Sequence, residues 1–205
     1  MKYKWLDTAK RIQALAQSGL AYTTNKYDIE RYEELRRISV EIVSDFTGID
    51  MDRVRELFAN ETGYQTPKVD IRAVVFKDNK ILLVKERVDG CWSLPGGWAD
   101  IGLSPGQVAA KETYEEAGLE VKPVKLLAVL DNKNHYRAPF PYHIYKIFIL
   151  CKIIGGQLAG GLETSDADFF TEDGLPPLSL GRNTAEQIRM MFDFSKDPTK
   201  EAIFE

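Results

Sequence analysis

The sequence predicts an α/β protein preceded by a small all-helical domain, and three observations carry that expectation. Over roughly residues 1–60 apolar side chains recur at helical spacing. From Val69 onward they gather in short β-rich runs. Between those runs a polar segment, Ser104 to Gly118, reads as a helix with clear start and stop signals.

In order along the chain, Trp5, Ala9, Ile12 and Ala16 mark a first helix. Tyr32, Leu35, Ile38, Ile42 and Phe46 mark a second. Asp28 and Asp50 suit the N-caps of the second and third helices, and Gly48 stands where a helix stops. The Gly/Pro-bearing connector Glu61 to Pro67 divides a helical domain, 1–66, from a second domain, 67–205. Strands are expected at Val69–Phe76, Lys80–Lys85, Cys91–Leu94, Val124–Leu130 and His143–Ile154, with Lys77 to Lys80 turning the first into the second. Trp92 to Gly97 reads as a strand breaking into a double-glycine turn. Gly155 to Gly161 reads as a hairpin turn, since no helix start follows it to cradle a phosphate. A last helix, Thr184 to Phe194, follows Asn183 as its cap.

The acidic helix carries the chemistry. Ser104 is a good N-cap, Pro105 suits the first helical position, Gln107 completes a capping box and Gly118 ends the helix. Ala109, Ala110, Thr113 and Ala117 form a small face suited to close packing on a sheet. Glu112, Glu115 and Glu116 fall at i, i+3 and i+4, so three carboxylates project together. Their repulsion disfavours the isolated helix, and a hard divalent cation converts it into coordination. A merely solvated acidic stripe is the ordinary alternative for such a run. The caps, the small face and the adjoining glycine turn favour the metal site.

From Gly97 to Leu119 the chain resembles the signature of the Nudix hydrolases, G-x5-E-x7-R-E-U-x-E-E-x-G-U with U aliphatic. It matches at Gly97, Glu112, Glu115, Glu116, Gly118 and Leu119, and departs at Leu103, Lys111 and Thr113. Leu103 removes one acid, for which Asp100 is a possible substitute. Lys111 keeps a positive charge without the planar fork of a guanidinium. Lys4–Tyr22, Asn60–Arg72 and Trp92–Trp98 resemble the opening, linker and WSLPGGW segment of a Nudix subgroup with a helical N-terminal domain. That subgroup is associated with CDP-choline and, more variably, ADP-ribose, so CDP-choline, cleaved to CMP and phosphocholine, is the first expected substrate and ADP-ribose the second.

The resemblance implies an αβα sandwich with a mixed sheet. It also implies Mg²⁺- or Mn²⁺-dependent cleavage of a pyrophosphate bond in a nucleoside diphosphate-linked small molecule. Glu112, Glu115, Glu116 and the Gly97 carbonyl become the metal set, with Glu112 as first choice for the base and Glu163 as second. Glu163 lies in a segment resembling the family's late acidic loop, although an ordinary polar loop fits it equally. Lys111 orients its neighbouring acid. Arg72, Lys133 and His135 are candidates to meet phosphate, and His135 is also a candidate proton donor, against the plainer reading of an exposed loop residue. His143 reads as structural. Trp98, with Trp92 and Tyr142, is a candidate to stack on the base, although a Trp near a strand is more often core. A weakened nucleotide-binding module and an RNA-processing enzyme are the alternatives.

Composition bounds the rest. Residues 1–66 hold 10 Lys+Arg and 11 Asp+Glu, which is not the basic footprint of a DNA-binding domain. The helices are expected instead to form a homodimer or to wall the pocket. Net charge is −4, so an anionic substrate must be met locally. The chain has no apolar run of about 18 residues and no secretory-type opening, so no membrane span is expected. With Cys91 and Cys151 its only cysteines, a reducing cytoplasm is the expected compartment. Cys91 has no histidine beside it in sequence and reads as structural.

Overall fold

The structure, a computed structural model, describes residues 3–136 and 142–205. The chain divides into two compact units, residues 1–67 with 138–143, and residues 68–137 with 144–205.

The first unit holds three helices, α1 (Lys4–Tyr22), α2 (Lys26–Thr47) and α3 (Met51–Phe58). Its core is Leu6, Ala9, Val40, Val43, Val54, Phe58 and Ala59. The buried stripe of α2 therefore runs through Ser39, Val40 and Val43. Leu35 and Phe46, expected inside, are 37% and 64% exposed. Asn25 caps α2, accepting the Tyr27 amide, and Asp28 sits inside the first turn. Asp50 caps α3 as expected, and Gly48 ends α2 in the left-handed region.

The second unit is an αβα sandwich. Its mixed sheet runs β3-β2-β1-β6-β5-β8, with β4 also on β1 and β7 also on β2. The strands are β1 (Lys68–Lys77), β2 (Lys80–Glu86), β3 (Trp92–Ser93), β4 (Gly96–Trp98), β5 (Leu119–Asp131), β6 (Ile144–Gly156), β7 (Thr164–Phe170) and β8 (Ile203–Phe204). Asp78 and Asn79 both take positive φ in the β1–β2 turn, the geometry that matches hairpin twist. On one face Ile71, Ala73, Val75, Leu82 and Val84 meet Val108, Ala109 and Ala117 of α4 (Pro105–Ala117). On the other, Val74, Ile81, Leu83 and Phe148 meet Ile188, Met191, Phe192 and Phe194 of α6 (Ala185–Lys196). A sheet covered on both faces reads as continuous apolar runs, which is why β1 and β2 carry so few polar residues.

The strand pairing opens the site. β1 runs beside β6 from Lys68 to Val75 but touches β2 only at Phe76↔Ile81 and Lys77↔Lys80. Lower down, from Arg72 to Asp70, the same edge takes β4 instead. The sheet thus splits where Gly96 and Gly97 lie.

Several sequence expectations change. The double-glycine segment is a strand, β4, and the acidic segment 164–170 is a strand paired with β2. β5 begins at Leu119, five residues early. Thr184, not Asn183, caps α6 through a capping box. Residues 157–161 do not close a hairpin, because β6 and β7 are not partners. They lie over the end of α4, where Ala159 N donates to Ala117 O and Gln157 N to Gly118 O. Carbonyls at a helix C-terminus need such donors.

Candidate active site

Helix α4 begins with the capping box read from the sequence. Ser104 Oγ accepts Gln107 N, and Gln107 Oε1 accepts Ser104 N. It ends at Gly118, φ +70°. Ala109, Thr113 and Ala117 are fully buried, so the helix lies tight on the sheet. Thr113 replaces an aliphatic residue without an orphaned hydroxyl, since its Oγ1 donates to Ala109 O at 2.7 Å.

The three acids occupy different surroundings. Glu116 is 6% exposed, and its Oε2 accepts the Gly96 amide at 2.8 Å. Glu112 is largely covered, its carboxylate lying 3.4–3.6 Å from where a Cβ on Gly97 would stand. Glu115 is half exposed and bonds Lys111 Nζ at 2.8 Å. Lys111 Nζ also lies 3.3 Å from Glu112 and 3.4 Å from Asp100. The Asp100 side chain thus stands beside Lys111 in a chain that has Leu103 at the motif's first acid position.

Burial pushes the Glu116 carboxyl up to about 8. The Gly96 bond and the Arg72 guanidinium oppose the rise, while Glu86 and Glu112 add to it. Burial likewise raises Glu112, against the pull of Lys111. The hydrogen bond to Glu115 raises Lys111 and keeps it charged. Two neighbouring carboxyls, one buried and one largely covered, both raised by burial, are short of positive charge, and a hard divalent cation with oxygen ligands fits that deficit. Among the described residues no three His, Cys, Asp or Glu side chains are gathered closely enough to cage a metal. The structure brings Glu112 and Glu116 to the glycine strand and ties Glu115 outward to Lys111.

The other expected residues are placed as follows. Arg72 is buried, with Nε on Asp70 at 2.9 Å and Nη1 on Leu94 O at 3.0 Å, so its guanidinium is committed inside the protein. Lys133 pairs with Asp131 at 2.8 Å, and His135 Nε2 lies 3.0 Å from Glu205, both around the short helix α5 (Asn132–His135). Trp98 is half exposed, directly after Gly97. Glu163 is exposed, and its carbonyl accepts Arg87 N. Its neighbour Thr164 donates through Oγ1 to Glu116 O at 2.6 Å. Trp92 packs edge-on against Phe170 and belongs to the core. The Tyr142 carbonyl accepts Lys10 Nζ within the helical unit.

Sequence reasoning missed a buried polar layer behind the glycine strand. Lys146 Nζ lies 3.3 Å from Asp70, and burial brings its ammonium down to about 8. Glu86, almost fully buried, takes Ser93 Oγ and Arg182 Nε at 2.7 Å each. Asn183 Oδ1 accepts Leu94 N at 2.8 Å. The one local signal was a charge closing an apolar strand, Ile81 to Glu86.

Comparison with known proteins agrees with the fold. The NUDIX domain profile matches residues 66–193, and the profile described as a UDP-X-like, N-terminal oligomerisation domain matches residues 3–58. A Bacillus subtilis (strain 168) protein, YjhB, provisionally named an ADP-ribose pyrophosphatase, is 51% identical over 98% of this chain and 97% of its own. A solved structure of a UDP-X diphosphatase is 32% identical, covers 98% of each chain and superposes with TM-score 0.64. A Streptococcus suis structure described as an ADP-ribose pyrophosphatase is 44% identical, covers 68% of this chain and 100% of its own, and has TM-score 0.63. Fold and relatives together define a hydrolase of pyrophosphate linkages. The chain belongs to the Nudix hydrolase family.

Proposed function

We propose that this Nudix hydrolase cleaves the pyrophosphate bond of nucleoside diphosphate-linked small molecules in the presence of Mg²⁺ or Mn²⁺. ADP-ribose ranks first, because the relative covering nearly the whole chain carries that name. CDP-choline, which rests on the subgroup resemblance, ranks second. The observation that carries the reading is the pairing of a buried Glu116 and a largely covered Glu112, each carboxyl raised by burial, beside the glycine strand.

A divalent cation, when bound, neutralises phosphate charge and makes water a nucleophile near neutral pH. Glu112 and Glu116 would hold it, with the Gly97 carbonyl as a neutral donor and Glu115 as a further ligand or hydrogen-bond partner. Glu112 is the first candidate to take the proton from the attacking water, since burial raises its carboxyl toward the working range. Glu163 is the second. As water joins phosphorus, the P–O bond of the anhydride breaks and its electron pair leaves with the departing phosphate. Lys111 restrains Glu112 and Glu115 from one side.

Arg72 acts in this reading on Asp70 and Glu116, not on substrate. Lys133, His135 and Trp98 remain the candidates for phosphate and base. Leu15, Tyr22, Tyr27 and Phe46 leave the helical unit more than half exposed, which favours a homodimer built there. No described helix is long and apolar enough to cross a membrane.

The test is product analysis with ADP-ribose and CDP-choline, each with Mg²⁺ or Mn²⁺. AMP plus ribose 5-phosphate, or CMP plus phosphocholine, absent with Glu116→Gln, is the expected result. Undiminished turnover by Glu116→Gln would remove the metal assignment.

A further inference from the structure

Two residues before the Gly96 amide held by Glu116, the backbone has a gap in its ladder. β3 ends at Ser93 and β4 begins at Gly96, so the fully buried Leu94 lies between strands. Its N–H donates to Asn183 Oδ1 at 2.8 Å, and its carbonyl accepts Arg72 Nη1 at 3.0 Å. The next carbonyl, Pro95 O, accepts Ala73 N at 2.8 Å. Asn183 therefore supplies from a distant loop the acceptor that a neighbouring strand would otherwise give.

That loop is itself firmly placed. Ser179 N donates to Trp92 O and Asn183 N to Ser179 O. Lys146 Nζ donates to Gly181 O and Arg182 O, while Arg182 Nε reaches Glu86. Asn183 is fully buried, and its Nδ2 finds no partner among the described residues. A buried donor left unmade is costly, so an amide kept here must earn its place through Oδ1.

We infer that Asn183 is a positioning residue of the hydrolytic site, setting the Leu94–Gly97 segment against Glu116 through its bond to the Leu94 amide. The inference rests on Glu116 and the glycine strand forming that site. Asn183 touches neither substrate nor cation. It fixes where the Gly96 N–H points, and through that bond where the Glu116 carboxylate lies.

The experiment compares Asn183→Leu, which keeps bulk and loses the acceptor, with Asn183→Asp, which keeps it. A carboxylate is tolerable here because Arg72, Lys146 and Arg182 all bond the adjoining backbone or side chains. Asn183→Leu should lower kcat by about tenfold with KM within about twofold, whereas Asn183→Asp should stay within about threefold of the parent. Mn²⁺ affinity, read from the electron paramagnetic resonance of the free ion, should weaken in the Leu variant and not in the Asp variant. If the Leu variant does not fold, Asn183→Ser, too short to reach Leu94, carries the same test. Parental kcat and Mn²⁺ affinity without the acceptor would overturn the inference, as would an Asp variant as impaired as Leu. Glu116→Gln, run alongside, separates the two levels. If it turns over normally the site assignment itself fails, and if it is dead while Asn183→Leu is intact only the positioning role fails.

Discussion

Glu116 Oε2 accepts the Gly96 amide at 2.8 Å, joining the acidic helix to the strand that faces it. The bond holds a carboxyl whose burial has pushed it up to about 8, so the metal-free protein carries a group that resists ionising near neutral pH.

From this follows a pH dependence of stability. Unfolded, Glu116 titrates near 4.5, and folded near 8, so between these values the folded state binds more protons. Its contribution is present below pH 4.5 and is lost as pH rises through about 8. In EDTA the parent should lose at least about 3 °C more Tm than Glu116→Gln between pH 5 and pH 8.5. Added Mn²⁺ should restore the parent alone. Equal losses in both proteins would contradict the assignment. In assays, Glu116→Gln should lower kcat at least about a hundredfold, as expected for losing a group that organises transition-state charge.

Lys111 holds Asp100, Glu112 and Glu115 at once. Lys111→Met should reduce kcat about tenfold by freeing Glu112, yet cost under about 1 kcal/mol because Lys111 and two of its three partners are well exposed to solvent. Lys111→Arg should retain activity, since a guanidinium can serve the same acids. Urea denaturation and steady-state rates on both variants would check this, and an inactive Arg variant would contradict it.

The two motif-strand glycines should differ sharply. Gly96 has φ +146°, and a Cβ there would lie 2.0 Å from Ile71 O, so Gly96→Ala should cost more than about 3 kcal/mol. The nearest atoms to a Cβ on Gly97 would be those of the Glu112 carboxylate, at 3.4–3.6 Å. Gly97→Ala should therefore fold normally while losing about tenfold in kcat. Circular dichroism melts beside kinetics would distinguish them.

Arg182→Met should destabilise by about 2–3 kcal/mol, because it leaves Glu86 buried without its cation. Adding Glu86→Gln should recover most of that loss. A double variant no better than the single one would show that the pair is not coupled. Equilibrium unfolding of the four proteins in the cycle measures it.

Legibility followed locality. The caps of α4, the acids at i, i+3 and i+4 and the Asp78-Asn79 turn all lie within a few residues of their causes, and the sequence displays them. The role of β4 depends on pairing with Asp70 to Arg72, so from its own residues it reads as a turn. β7 shows Asp166 and Asp168 outward about an inward Ala167, an alternation obscured by acids that resemble a loop. Asn183 lies 89 residues from the amide it satisfies, beyond any spacing rule. Arg72 looked available to phosphate because sequence cannot show Asp70 closing on it. Phe46 looked internal because a helical stripe can be read one residue out of phase.

Residues 157–164 cross the end of α4, and a Cβ on Gly161 would stand 1.8 Å from Glu115 O. Thr164 fastens Glu116 O from the same side, while Ala109, Thr113 and Ala117 are buried along the helix. A helix held there and packed along its small face resists rotation about its axis. One residue of rotation is about 100°, enough to change which acid looks toward the glycine strand. The angular setting of the acids is therefore held in part by a glycine and a threonine that carry no charge. Bulk introduced at Gly161 would be felt as a change in which carboxylates face the cation, with every acidic residue still present.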